Sequence, residues 1–402
     1  MESAVISLKK GEIVTSMVRR IGKKKLIGIL TVFILSLTIM LAGCAVGGSS
    51  GSSEAPQISG LTYKNTTKLE YAECFDIYNY NDGYSVIDVH DDCKYLVVPE
   101  GKKTPKNLDD DMVVIKQNLK NIYCGATSAM ALFDSIDALD QISTTELKES
   151  GWTFDSIKNK MKSGDIVYAG KYSEPDYELL LDKNCDLAVE STMIYHNPEV
   201  KEMIEKLGIP VFVDRSSYET KPLGRTEWVK VYGVLTGNTE VAEKFFKEET
   251  QVIDDLQDFE NTGKTVAFFY VTTSGKVVVR SSSDYVPSMI DIAGGKYAFS
   301  DLTDSKGKTS ISMTMESFYE GACDADYLIY NTNIDNTVKS LGDLKAKSDI
   351  FSKFKAVKNG NCYTSGSSFY QRTDKIGEMI VDMHKILTEK NPQDLEFLKK
   401  LE

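Results

Sequence analysis

The chain has 402 residues and a formal net charge of −12, from 47 Lys and Arg against 59 Asp and Glu. Seven of the basic and two of the acidic residues fall in residues 1–43, so the remainder carries 40 basic and 57 acidic side chains, a net −17. That balance excludes nucleic acid and anionic lipid surfaces as main partners, and a body of about 340 residues points to two domains.

At the front, Arg19, Arg20, Lys23, Lys24 and Lys25 precede the uncharged run Leu26 to Met40. Positive charge stays on the cytoplasmic side while an apolar run enters the bilayer, which is how a signal peptide orients itself. Met1 and Met17 both offer a start. The run ends in Leu41-Ala42-Gly43-Cys44, which resembles the lipobox of bacterial lipoproteins, where the cysteine thiol accepts a diacylglycerol. The expectation is a signal peptide over 1–43, lipidation of Cys44, and an extracytoplasmic protein anchored to the cell membrane by that lipid. Residues 44–60, rich in Gly and Ser, read as a flexible tether. The competing reading is a membrane-spanning anchor, since about eighteen apolar residues just suffice.

Residues 61 to about 115 are polar and aromatic with short alternating runs, which predicts a small β-rich opening. Asn121 to Gly125 followed by Ala126 to Leu139 reads as strand, tight turn and helix. The same alternation recurs. Asp165–Gly170 is a strand, Pro175–Lys183 a helix opened by proline, and Cys185–Glu190 a strand. Asn197-Pro198 opens a helix to Lys206, and Gly208–Asp214 is a further strand. Strands alternating with helices imply a parallel sheet in an α/β lobe over 61–238.

Residues 239–261 carry no Gly or Pro, and Val241, Phe245, Val252, Leu256 and Phe259 fall broadly on one face. They predict one long stiff helix between two lobes, with a linker over 239–262. A second α/β lobe over 263–402 begins with a hairpin around Ser274-Gly275. It continues with a strand at Tyr327–Asn331, an amphipathic helix through Ile376, Met379, Ile380, Met383 and Leu387, and a short helix opened by Asn391-Pro392. The fold class is α/β: two lobes joined by a single long rigid helix, with a ligand cleft between them.

Lobe, long helix, lobe behind a lipidated cysteine resembles the substrate-binding proteins of ABC importers for iron complexes, haem and vitamin B12. The likeness rests on Glu174-Pro175-Asp176-Tyr177-Glu178-Leu179-Leu180 with Cys185–Val189, on Asp284-Tyr285-Val286 to Gly294-Gly295, and on Met315-Glu316-Ser317-Phe318 with Asp326–Tyr330. Pro222 to Trp228 adds a run resembling a bacterial branch of that family. The resemblance implies that Glu178 and Glu316, one per lobe, dock on arginines of an ABC permease dimer served by a cytoplasmic ATPase. It implies no enzymatic activity and no resident cofactor, the ligand being a ferric siderophore, haem or a corrinoid such as cobalamin. Residues 61–110 exceed what that fold needs.

Ligand groups belong on loops after strand ends, where the lobes face each other. In the first lobe these are Tyr123, Thr127, Lys171, Tyr172, Met193, Tyr195, His196, Arg215, Ser217 and Tyr218. In the second they are Tyr285, Tyr330, Tyr363 and Tyr370. Tyrosine offers a flat apolar face with one polar tip, suited to a chelate or macrocycle, and Lys171 and Arg215 can hold anionic groups. With 21 tyrosines in the chain, packing competes with binding at each. His196 has the chemistry of an axial haem ligand beside Met193 or Tyr195; Arg225 and Glu227 read as a structural pair. A direct zinc or manganese site is disfavoured, because His90, His196 and His384 make no paired motif. A hydrolase lacks both G-x-S-x-G and H-E-x-x-H. Of the seven cysteines, Cys74 and Cys93 leave a disulfide open, whereas Cys124, Cys185, Cys323 and Cys362 read as thiols.

Overall fold

The computed structural model describes residues 54–256, 259–304 and 308–402. The expected signal peptide, Cys44 and most of the tether lie outside them. Among the described residues no helix is long and apolar enough to cross a membrane, and the six described cysteines are free thiols.

The β-rich opening is a five-stranded sheet in the order β1(Tyr63–Thr66), β2(Phe75–Tyr80), β3(Ser85–Val89), β4(Lys94–Val98), β5(Met112–Lys116). Its strands alternate as the pleat requires. Phe75, Ile77, Ile87, Tyr95 and Val97 join the core of the first lobe. Their neighbours Tyr78, Val86, Leu96 and Val98 form a second cluster under Ile58.

The first lobe is a parallel sheet ordered β12(Val211–Asp214), β11(Leu187–Ser191), β6(Ile122–Cys124), β7(Ile142–Thr145), β8(Val167–Tyr168). The chain enters at β6, winds toward β8, then crosses back to β11. The topological switch point therefore lies between β6 and β11, and the loops at the carboxyl ends of these strands form the natural binding wall. After β8 comes a two-residue hairpin pair, β9(Gly170–Lys171) and β10(Glu174–Pro175). Pro175 thus closes a strand rather than opening the next helix. Asp176 takes the cap, accepting the Leu179 N–H at 3.0 Å, and the helix spans Tyr177–Asp182.

Three short helices connect the lobes: Pro222–Glu227, Val229–Thr236 and Thr239–Gln251. The last two cross with their backbones close, since a Cβ on Gly233 would lie 2.6 Å from that of Ala242. The long rod expected over 239–262 is thus corrected to a helix of 13 residues, about 20 Å long, followed by a 3-10 turn at Asp254–Leu256. Its inward stripe is also displaced by one residue. Ala242, Phe246 and Glu249 are buried, while Val241 and Val252 are exposed. Ala242 and Phe246 pack into the first-lobe core, and on the same face the Glu249 carboxylate accepts the Gly377 N–H at 2.9 Å at the start of the helix Ile376–Thr388. Beyond Gln251 the chain leaves the helical path so that Ile253 and Leu256 enter the second core.

That core surrounds a sheet ordered β16(Ser310–Met313), β14(Val277–Arg280), β13(Thr265–Val271), β17(Tyr327–Asn331), β18(Cys362–Ser365), β19(Leu398–Lys400), with β15(Lys296–Tyr297) also on β13. The hairpin turns at Gly275, whose φ of 79° suits glycine. No helix follows Asn391-Pro392. Instead buried Asp382 accepts the N–H groups of Phe397 and Leu398 at 2.6 and 3.2 Å, and the chain ends as β19 antiparallel to β18.

Candidate ligand cleft and docking face

On the first lobe the wall is built by two 3-10 turns. The Ser191 hydroxyl accepts the Met193 N–H at 3.4 Å, and the turn Thr192–His196 turns Met193 and Tyr195 outward, 45% and 40% exposed. Asp214 ends β12 buried, accepting the Ser216 N–H at 2.9 Å, the Ser216 hydroxyl at 2.5 Å and the Tyr232 hydroxyl. That anchors the turn Ser216–Tyr218, leaving Ser217 exposed and Tyr218 53% exposed. The hydroxyls of Thr192 and Ser217 lie 3.5 Å apart, which ties the turns together. Arg215 lies beneath, its guanidinium 4.7 Å from the Tyr218 ring. Met193, Tyr195, Arg215, Ser217 and Tyr218 therefore share one surface, with exposed His196 at its end. Thr127 begins the helix Thr127–Ser135 at the switch point. Lys171, exposed, and Tyr172, partly buried, sit after β8 at the opposite edge of the sheet.

Other sequence-predicted residues are spent inside the protein. Tyr123 points into the core of the first lobe. The Tyr330 hydroxyl donates to Asp335 at 2.6 Å and accepts the Val271 N–H at 3.1 Å, and Tyr363 is buried in β18. Tyr285 and Tyr370 belong to a polar cluster at the seam. Arg225 stacks on the Tyr285 ring at 4.1 Å, so it is not paired with Glu227, whose partner is Lys230 at 2.9 Å. Arg280 donates to the Tyr370 hydroxyl and lies 3.6 Å from Asp284, and the Asn331 amide donates to the same hydroxyl at 2.6 Å. Gln371 bridges the lobes, accepting the Thr153 N–H at 3.0 Å and donating to the Gly151 carbonyl at 2.8 Å.

Two features escaped sequence reasoning. The turn between β3 and β4 reaches the wall, where Asp92 accepts hydrogen bonds from Tyr195 at 2.9 Å and Tyr95 at 2.7 Å. Only the bare Asp91-Asp92 pair marked this turn in the sequence. The other feature is Glu190, fully buried with both carboxylate oxygens unpartnered among the described residues. It lies so close to the β6 turn that a Cβ on Gly125 would stand 2.5 Å from Oε2. A lone acid ending the apolar run Leu187-Ala188-Val189 was its signal. Burial raises its pKa strongly, reinforced by the charge of nearby Glu146.

Glu146 is itself pushed up to about 7 by burial, against the opposing hydrogen bond from the Tyr172 N–H at 3.2 Å. Between the ordinary value of 4.5 and about 7 the native state holds this proton and the unfolded chain does not. The group's stabilising contribution is therefore complete below that window and is lost as pH rises through it. Glu146→Gln is expected to gain about 2–3 kcal/mol relative to wild type between pH 5 and pH 8. Urea melts at both pH values measure this, and equal differences would mean that Glu146 ionises normally.

Glu178 and Glu316 occupy matching places. Each is the second residue of a helix, after the caps Asp176 and Thr314, and each is exposed. The helices Tyr177–Asp182 and Met315–Ala322 lead directly into β11 and β17. Because a helix returning to a parallel sheet runs against the strands, both N-termini lie at the carboxyl, cleft-rim end. The three histidines are apart in their partners. His90 binds Asp76 at 3.1 Å, His384 contacts the Ala293 carbonyl at 3.1 Å, and no metal-holding acid, thiol or histidine cluster occurs among the described residues.

Comparison with known proteins agrees with the fold. The family model described as periplasmic binding protein matches residues 122–368. An uncharacterised lipoprotein of Methanocaldococcus jannaschii is 26% identical over 401 residues, covering 90% of this chain and 93% of its own length. A second from the same organism is 25% identical and covers 88% and 93%. Among solved structures, a periplasmic haem-binding protein from Pseudomonas aeruginosa is similar with a TM-score of 0.55 at 12% identity, covering 70% of this chain and 98% of that one. A petrobactin-binding protein from Bacillus subtilis gives 0.54 at 14% identity, covering 69% and 94%. At those identities the structural likeness is one of fold. The matched segment runs from β6 through β18 and takes in both lobes and the seam, and the chain belongs to the periplasmic binding protein family, the solute-binding components of ABC importers.

Proposed function

We propose that this protein captures a ferric siderophore, haem or a corrinoid outside the cytoplasm and delivers it to an ABC permease, held to the membrane by a lipid on Cys44. The observation that carries the reading is the surface made by Met193, Tyr195 and Tyr218. Large, flat and polarizable side chains stand exposed at the carboxyl ends of β11 and β12, where a rigid chelate or macrocycle finds apolar contact with few polar demands. The lipoprotein names of the archaeal relatives support the anchor. The helix Thr239–Gln251 is fastened to the second lobe through Glu249, which favours a small closing motion over a wide hinge.

Titrating the purified protein with haem, cobalamin and ferric siderophores tests the reading. Both tryptophans are buried, and Trp152 adjoins Thr153, which bonds Gln371 across the seam, so its fluorescence should respond to a bound ligand. The double variant Tyr195→Ala, Tyr218→Ala is expected to weaken binding about tenfold or more, at roughly 1 kcal/mol per aromatic contact. Unchanged affinity would remove this surface from the site.

A further inference from the structure

All four arginines of the described residues stand at or beside the seam, and three of them face a carboxylate within the protein. Arg372 makes two 2.8 Å bonds to Asp374. Arg280 lies 3.6 Å from Asp284, and Arg225 covers the Tyr285 ring. Arg215, the one on the exposed aromatic wall, is 3.6 Å from the Asp91 carboxylate and 3.4 Å from the Asp91 carbonyl. Asp91 and its neighbour Asp92, which holds Tyr195, come from the β3–β4 turn. That turn lies outside the family-matched segment, which begins at residue 122.

We infer that the Asp91–Asp92 turn sets the charge selectivity of the cleft: it cancels Arg215 and adds negative charge to the wall, so that the site takes a neutral or cationic complex and discriminates against anionic ones. This rests on the ligand-capture reading above and narrows it. A carboxylate-rich or catecholate chelate binds where guanidinium groups are free to make paired hydrogen bonds, and on this wall the two terminal nitrogens of Arg215 already face Asp91, while its buried Nε is left without a partner among the described residues. Lys171 does not restore the missing charge at this surface, because its hairpin follows β8, at the far edge of the sheet from β12. The net −17 of residues 44–402 adds a long-range field of the same sign. The geometry requires that the turn be part of the wall, and the bond from Tyr195 to Asp92 places it there.

The experiment compares a neutral ferric trihydroxamate with a trianionic ferric tris-catecholate of similar size, by equilibrium titration at low salt. Wild type is expected to prefer the neutral complex at least tenfold. Asp91→Asn should narrow that preference about three- to fivefold by tightening the trianion alone. Asn suits this position, where φ is 57°, and the side chain is 88% exposed, so the variant should fold as wild type does. In an Arg215→Gln background the same replacement should narrow the preference less. A wild type that binds the trianion as well as the neutral complex, or an Asp91→Asn protein with an unchanged ratio, overturns the inference while leaving the capture reading intact. If neither chelate binds, and haem and cobalamin fail as well, the capture reading falls, and the inference with it.

Discussion

Glu227→Ala is expected to cost the folded protein about 3–5 kcal/mol, the range found when one member of a buried charged pair is removed. Glu227 is fully buried on the first connecting helix. Its carboxylate accepts the N–H groups of Glu70, Tyr71 and Ala72 at 2.8–3.1 Å and the Lys230 ammonium at 2.9 Å. Alanine leaves three backbone donors and one ammonium buried together, and Lys230 keeps the Lys68 carbonyl at 3.0 Å, Glu243 at 3.5 Å and the Phe246 ring at 4.8 Å. Glu219 does the same for the next two residues, accepting from Glu73 at 2.8 Å and Cys74 at 3.0 Å. The segment 70–74 is thus fastened by two carboxylates. Guanidinium chloride melts of Glu227→Ala measure the cost, and adding Lys230→Met should return part of it by removing the stranded charge. A loss below about 1 kcal/mol would mean that water reaches these groups freely.

Replacing Glu178 and Glu316 together by Ala is expected to lower uptake about tenfold or more while leaving ligand affinity unchanged. Rim charges of this kind govern encounter and orientation, so the effect should appear in transport rate and in its salt dependence. The argument is geometric. Two exposed carboxylates occupy the same position in two helices that feed equivalent strands, one per lobe, as a two-fold permease would require. Each single variant should give an intermediate rate, since either lobe alone still orients half the contact. Uptake equal to wild type in the double variant, with normal ligand binding, would make both residues ordinary first-turn acids that favour the helix dipole.

Much of the framework was legible because it follows from local rules. The strand Tyr327–Asn331 and the helix Pro198–Lys206 agree with their predicted bounds, the first from a run of large apolar residues, the second from Asn197-Pro198. The hairpin at Ser274-Gly275 likewise needed only turn chemistry. What stayed hidden were interactions between a side chain and a distant backbone. Glu249, Glu219 and Asp382 read as solvated acids in a sequence and Glu227 as a partner of Arg225, yet each is buried on N–H groups far along the chain. Glu249 also shares the buried face of its helix with Ala242 and Phe246, a face that polarity periodicity alone does not select. Among the tyrosines, exposure separated Tyr195 and Tyr218 from Tyr123, Tyr330 and Tyr363. No spacing rule does so, because the same residue type serves core and surface.

The position of β12 has a consequence for any shortened form of this protein. It is the outermost strand of its sheet, and the hydroxyl of Tyr95, from the opening sheet, accepts the Val213 N–H at 3.2 Å, while Phe212 packs on the Tyr95 ring at 4.7 Å. A chain trimmed to start near residue 120 would leave that flank bare, with its row of amide donors turned to solvent beside naked aromatic rings. Such a fragment should zip onto copies of itself rather than remain monodisperse. The leading sheet is thus what keeps the first lobe from being sticky.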